Sequence, residues 1–195
     1  MKKIIQFIVV LGISFSGIFV GAQAKYTLDG DHSAVHFSTI KKQYIVEPAV
    51  FKKVSGSISN SGNVEVQIDL NSIETRIPIR NERINKLFFD SVKFPNATVK
   101  AKIDMAMLKG IRDFKKMDLP ATLNFYGKSK AIKLKVLIAK VGKNKFVATS
   151  MAPTIVNAKD FGVPDNNITK LAATVGGFNI SNKVGVSFVL SFTAE

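Results

Sequence analysis

Apolar and polar residues change places at every second position over most of this chain. Val64, Val66, Ile68 and Leu70 fall on one side of a run whose other side is Glu65, Gln67 and Asp69. Ile132, Leu134, Val136 and Ile138 alternate with Lys133, Lys135, Leu137 and Ala139, and Val184, Val186, Phe188, Leu190 and Phe192 share one side of the last segment. Weaker alternation passes through Val35 and Phe37, Val54-Gly56-Ile58, Val99-Ala101-Ile103, Leu123 and Phe125, and Phe146 and Ala148. Successive side chains of a strand point to opposite faces, so each run predicts a half-buried strand. Short turn signals separate several of them: Ser59-Asn60-Ser61-Gly62-Asn63, Tyr126-Gly127-Lys128-Ser129 and Val141-Gly142-Lys143-Asn144. Connections of that length join antiparallel neighbours. The expectation is an all-β domain of about eight antiparallel strands, closed as a barrel or folded as a sandwich.

Two segments break the period of two. Asn81 to Asp90 suits a short helix with Asn81 as N-cap and Ile84, Leu87 and Phe88 on one face. Asp165 to Ala173 suits a second, ahead of Gly176-Gly177 and the final strand. Residues 1–24 read differently again. Lys2 and Lys3 precede a mostly apolar stretch from Ile4 to Val20, and Ala22-Gln23-Ala24 fits a small-x-small cleavage site. Seventeen residues lie at the short limit of a membrane span, and no basic stop follows directly. A removable signal peptide is therefore expected, with residues 25–195 as one domain that is periplasmic or secreted. Those 171 residues suffice for one sizeable core and are short for two.

Composition narrows the chemistry. There is no cysteine, which removes disulfides, thiol catalysis, zinc-thiolate sites and an N-terminal lipoprotein anchor. Net charge is +14, and +12 once Lys2 and Lys3 are gone. That excess favours anionic partners, including transient contact with an anionic membrane surface. The lysines are scattered rather than interleaved with aromatics, so no nucleic-acid groove is expected. His32 and His36 are the only histidines, and on a strand they would stand roughly 13 Å apart, too far to share a metal. Asp29-Gly30-Asp31 lacks the rest of a calcium loop and reads as the start of a strand with a turn cap. No nucleophile elbow, phosphate loop or dinucleotide fingerprint occurs, so neither catalytic residues nor a cofactor are expected. The inward faces are aliphatic or Phe, and Gly56, Ala101 and Ala148 would leave room among them. A barrel of eight strands either fills its interior or holds one small ligand, and periodicity alone leaves both open.

A series of short motifs carries a resemblance. Asp29-Gly30-Asp31-His32-Ser33 with Val35 and Phe37 comes first. Ser72-Ile73-Glu74-Thr75, Arg80-Asn81-Glu82-Arg83-Ile84, Phe89-Asp90 and Lys93-Phe94-Pro95 follow, then Leu123-Asn124-Phe125-Tyr126-Gly127-Lys128 and Lys159-Asp160-Phe161-Gly162. In this order, from about Tyr26 to Phe192, they resemble the YceI-like family of exported polyisoprenoid-binding proteins. The resemblance implies an elongated lipocalin-like barrel with an apolar cavity that holds an isoprenoid chain, of quinone or polyprenyl-phosphate type, without catalysis. Asn81 and Arg83-Ile84 depart from the Asp and His-Leu of the commoner family form. That removes one negative charge and adds a permanent positive one, a change expected to alter the preferred head group.

The expected ligand-binding residues are Val66, Ile68, Ala101, Leu123, Phe125, Val136 and Phe188 on inward faces, with Leu87 and Phe88 of the helical segment beside them. Arg80 and Arg83, three apart, would either pin that helix to a carboxylate or meet a polar head group at the cavity mouth. Burying a five-carbon isoprene unit is worth roughly 3–4 kcal/mol gross, so tail length would dominate affinity and the head group selectivity. The oligomeric state, a homodimer included, stays open. Export generates the first test: the intact mass of protein recovered from its native compartment should match a chain starting at Lys25. Retention of Met1 would return the leader to the anchor reading.

Overall fold

A computed structural model describes residues 24–195; the leader lies outside the described residues apart from Ala24. In chain order the elements are β1 (Ala24–Lys41), β2 (Ile45–Phe51), β3 (Val54–Ser59), β4 (Asn63–Asp69), β5 (Ile73–Glu74) and α1 (Pro78–Arg83). They continue with β6 (Asn96–Lys102), α2 (Met105–Gly110), β7 (Phe114–Phe125), β8 (Lys128–Val141), β9 (Lys145–Ser150), β10 (Thr154–Asn157), α3 (Asp165–Ala173) and β11 (Lys183–Ala194). Strands β1, β3, β4, β6, β7, β8, β9 and β11 pair in that sequence, all antiparallel, and β11 returns to β1. These eight are the eight that alternation marks, and they close a barrel rather than a sandwich.

Alternation also sets the polarity of the wall. Val66, Ile68, Leu123, Val136 and Ile138 are buried inside, while Glu65, Gln67, Lys133 and Lys135 are exposed outside. A membrane barrel carries the reverse arrangement, an apolar band on its outer face. Tyr126 and Gly127 turn β7 into β8 with φ of 51° and 75°, the left-handed pair that matches strand twist in a two-residue hairpin.

Three strands stand outside the ring. β2 and β5 extend the sheet beyond the upper half of β1, and β10 flanks the start of β11. Their sequences hide them: β5 has two residues, β10 four, and β2 contains Pro48. Pro48 is opposite Ser38 of β1, beyond the reach of β5, which meets β2 only at Val50 and Phe51. The other edge of β2 is thus unpaired there, where a proline is tolerated.

Several expectations are corrected. The first helix begins at Pro78, with Ile77 rather than Asn81 as N-cap, and it passes directly into a π-helical turn over Ile84–Phe89. Proline at a first helical position costs no hydrogen bond, so the start is set upstream of Asn81. Helix α2 had no signal beyond Asp104, whose carboxylate accepts from the Ala106 N–H as a cap. Asp29 and Asp31 lie inside β1 rather than at its start. From Asp29 to Ala34 the pairing with β11 advances only from Ser191 to Val189, a bulge carrying three extra residues. Ser33 repairs it: its hydroxyl accepts from the Ser191 N–H at 2.9 Å and donates to the Asp29 carbonyl at 2.6 Å. Gly56 does not make room for ligand. A Cβ there would lie 2.4 Å from the Glu65 carbonyl oxygen of β4, so the glycine permits two strands to close up.

Gly62 is more constrained still. Its φ is +82°, a Cβ would fall 2.1 Å from the Ile103 carbonyl oxygen, and its own carbonyl accepts from the Ile103 N–H. Gly142, with φ of +64°, faces open space. Gly142→Ala should therefore cost about 1 kcal/mol of left-handed strain. Gly62→Ala should cost clearly more, because strain is joined by a backbone collision. Urea unfolding of both variants checks this; equal costs would mean the β3–β4 turn relaxes freely.

Candidate functional site

The interior of the ring is hollow. A cavity of about 280 Å³ runs through it. Well-packed cores keep few voids larger than a water molecule, and one water needs only about 10–15 Å³ on this scale. The space is therefore some twentyfold beyond a packing defect, which decides between a filled and an open barrel.

Strand register defines the two ends of the cavity. At the lower end are Ile58, Ala101 and Ile103, with Leu108 of α2 beneath them as a floor that is 1% exposed. At the upper end β1 and β11 outgrow the ring, and β2, β10, α1, the π turn and α3 gather around the opening. Between these ends the lining is apolar, aliphatic side chains with Phe146, Phe188 and Phe192 among them, joined near the top by Phe37, Phe51, Phe88, Phe89 and Phe125. These aromatics touch in sequence, Phe37 to Phe51 at 5.2 Å, Phe51 to Phe89 at 5.9 Å and Phe89 to Phe125 at 6.0 Å between ring centroids.

All polar lining residues collect at the upper end: Thr39, Lys41, Glu47, Arg80, Thr154, and Ser181 with Asn182. Thr39 is opposite Glu47 on β1 and β2, Lys41 bridges to Ile180, and Thr154 is opposite Val186. At their centre Glu47 accepts from both Lys41 and Arg80, the latter at 2.8 Å. All three side chains are about one-quarter exposed. The hydrogen bond from Lys41, and then that from Arg80, hold the Glu47 carboxyl below its ordinary value. The rim therefore keeps a fixed excess of one positive charge.

Of the expected ligand-binding residues, Val66, Ile68, Arg80, Phe88, Ala101, Leu123, Phe125, Val136 and Phe188 line this cavity. Leu87 does not. An α-helical period puts residue 87 on the face of 84, but a π turn is wider and brings 88 and 89 there instead. Ile84 and Phe89 are accordingly buried, and Phe89, which the helical period alone did not put on that face, lines the cavity. The two arginines also part company. Arg80 reaches the rim, whereas Arg83 donates to the Thr174 carbonyl at 3.2 Å, capping the C-terminal end of α3. Asn81 faces away from the cavity. Its amide oxygen accepts from the Thr75 N–H and hydroxyl at 2.9 and 2.6 Å, and its amide N–H donates to Glu74 at 3.2 Å. A carboxylate there could not donate to Glu74, so asparagine suits this pairing. The charge departures at 81 and 83 thus lie in joints between elements rather than on the rim. Lys41, Glu47 and Thr39 carried no signal, because β2 itself was hidden.

Neither histidine joins the cavity. His32 donates its N–H to Asp29 and pairs with it again through Nδ1 at 2.9 Å, tying the bulge of β1, and this contact lowers the Asp29 pKa. His36 is exposed on the outer wall. No group of three metal-ligating side chains occurs among the described residues.

A meander closed on itself around an apolar cavity with one polar rim defines the lipocalin-like class of binding barrels. Within it, the chain belongs to the family of proteins with a YceI-like domain, whose family model matches residues 26–192. A polyisoprenoid-binding domain from Saccharophagus degradans, implicated in plant cell wall breakdown, is 28% identical. It superposes with a TM-score of 0.85 over 89% of this chain and 100% of that one. BcnA of Burkholderia cenocepacia shares the fold at 20% identity and a TM-score of 0.63, over 84% of this chain and 98% of that one. A 100-residue stretch is also 32% identical to the small ribosomal subunit protein uS8 of Spiroplasma kunkelii, covering 74% of that protein. That alignment takes in 48% of this chain, about half of a barrel that exists only when closed. Membership therefore rests on the family model, which spans the whole ring.

The rim makes a test by pH. Because the Glu47 pKa is depressed in the folded state, its stabilising contribution is present above the ordinary glutamate value near 4.5 and lost as pH falls through the folded value. Glu47→Gln should lower the melting temperature at neutral pH and converge with the unaltered protein in acid. A gap that stays constant into acid would show that Glu47 is held by packing alone.

Proposed function

We propose that this protein binds an isoprenoid lipid without turning it over, holding the prenyl chain in the barrel and the head group at the upper rim. The observation that carries the reading is the segregation of the cavity: apolar along its length, polar at one end only. An amphipathic molecule with a long tail and a compact head matches that division. The polyisoprenoid-binding neighbour supports the class of tail. Arg80 and Lys41 support a head rich in hydrogen-bond acceptors, as in a polyprenyl phosphate or an isoprenoid quinone. The placement of both histidines outside the cavity favours carriage or sequestration over catalysis. With the leader expected for residues 1–24, the work is assigned to the periplasm or the cell exterior.

Organic extraction of protein from its native compartment, followed by mass spectrometry, should release a prenyl lipid in near-stoichiometric amount. Ala101→Phe narrows the lower end of the cavity, where the alanine is only half-buried. That variant should fold with little loss and shift the bound lipid toward shorter tails. A solid interior would instead lose about 1–3 kcal/mol through overpacking. Loss of stability with unchanged lipid content would remove the carrier reading.

A further inference from the structure

The open end of the barrel carries an apolar fringe that the core does not use. Ile40 and Val46 are direct partners across β1 and β2, and they are 39% and 59% exposed. Their neighbours Thr39, Lys41 and Glu47 line the cavity, so this pair faces outward from the same rim. Tyr44, in the turn between the two strands, is 79% exposed. The loop after α3 closes up to this hairpin: the Lys42 N–H donates to the Asn179 carbonyl, the Ser181 N–H donates to the Ile40 carbonyl, and Lys42 Nζ sits 3.6 Å over the Phe178 ring. Phe178 is itself exposed, and Val175 is exposed while also lining the cavity. The fringe therefore meets the opening.

Scattered exposed apolar residues are ordinary, but a contiguous set with an aromatic tip around a cavity mouth marks an interaction surface. Its charge favours one partner. Lys42, Arg76 and Lys170 lie in the segments gathered at this end, whereas of the carboxylates there Glu47 is paired twice, Glu74 with Lys52 and Asp165 with Lys159, and Glu82 is the one carboxylate of α1. Aromatic and aliphatic side chains beside flexible cations suit the boundary of an anionic bilayer. There the apolar groups enter the acyl region and the ammonium groups stay with the head groups.

We propose that the upper end of the barrel docks on the surface of an anionic lipid bilayer, with Tyr44, Val46 and Phe178 inserted, so that the cavity opens directly onto the membrane. The docking rests on the isoprenoid reading only for its purpose: the tail would pass between acyl chains and barrel with little exposure to water.

The test is flotation with vesicles of phosphatidylcholine alone and of phosphatidylcholine with phosphatidylglycerol. The unaltered protein should float with the anionic vesicles and less as salt rises. Tyr44→Ser, Val46→Ser and Phe178→Ser combined should lose about tenfold or more of that binding. Lys42→Gln and Lys170→Gln should each lose roughly fivefold. Phe114→Ser, which removes an exposed aromatic at the opposite end, should change nothing. Melting temperature and solution uptake of geranylgeraniol, measured without vesicles, keep the two readings apart. A triple variant that takes up geranylgeraniol normally but stays off vesicles supports docking. Flotation by a protein that takes up no geranylgeraniol supports docking and removes the isoprenoid reading. Docking is overturned if the unaltered protein ignores anionic vesicles, or if the triple variant floats as well as it does. It is equally overturned if sedimentation shows a dimer that the triple substitution dissolves, since the fringe would then belong to a second copy of the chain.

Discussion

Closure of β1 against β11 is the contact on which the molecule depends. It joins residues more than 140 positions apart, from Tyr26 with Ala194 to Ser38 with Gly185. Without it the sheet has two free edges and no interior. With it, eight inward rows face one another across a space that their aliphatic side chains do not fill. The cavity is thus a consequence of ring size and side-chain volume together. The same contact builds the mouth, since β1 and β11 continue past the ring and carry β2 and β10 with them.

Much of this was legible in the residues, for a physical reason. A strand buried on one face and solvated on the other must alternate, and all eight ring strands do. What escaped were elements whose stabilisation is not local. β5 is two residues long and exists because β2 offers it an edge; β10 depends likewise on β11. The π turn escaped because the helical period assumed for Ile84 to Phe89 was 3.6 residues, and one wider turn was enough to exchange Leu87 for Phe89. The apolar part of the cavity was readable from alternation. Of the polar part only Arg80 was, since Glu47 and Lys41 acquire their meaning only when a hairpin with no clear pattern brings them beside it.

The arginines beside the Leu87-Phe88-Phe89 knot show how one short segment divides its labour. Arg80 faces the rim and balances Glu47. Arg83, three residues on, turns to the carbonyl end of α3. Phe89 and Phe88 enter the aromatic cluster between them. The guanidinium groups accompany so much apolar surface because this segment closes the barrel on one side and is bolted to two neighbours on the other. Long amphipathic side chains can span that distance while their stems stay dry. The two charge departures from the commoner family form, at Asn81 and Arg83, fall among the bolts, whereas Ile84 beside them lines the interior.

The three-residue bulge of β1 has a further consequence, for the order in which the chain acquires structure. The β7–β8 hairpin brings together residues close in sequence and can form early, whereas β1 needs a partner more than 140 positions away, the twelve residues of β11. The bulge must be accommodated in the same step, because the hydroxyl of Ser33 finds the Ser191 N–H only when the ring shuts. Until then the inward rows are open to water and to other chains, the condition in which β proteins aggregate. β11 follows every other ring strand in chain order, so the apolar lining remains uncovered until it is made, and loss of β11 residues would remove the enclosure itself rather than one edge of it.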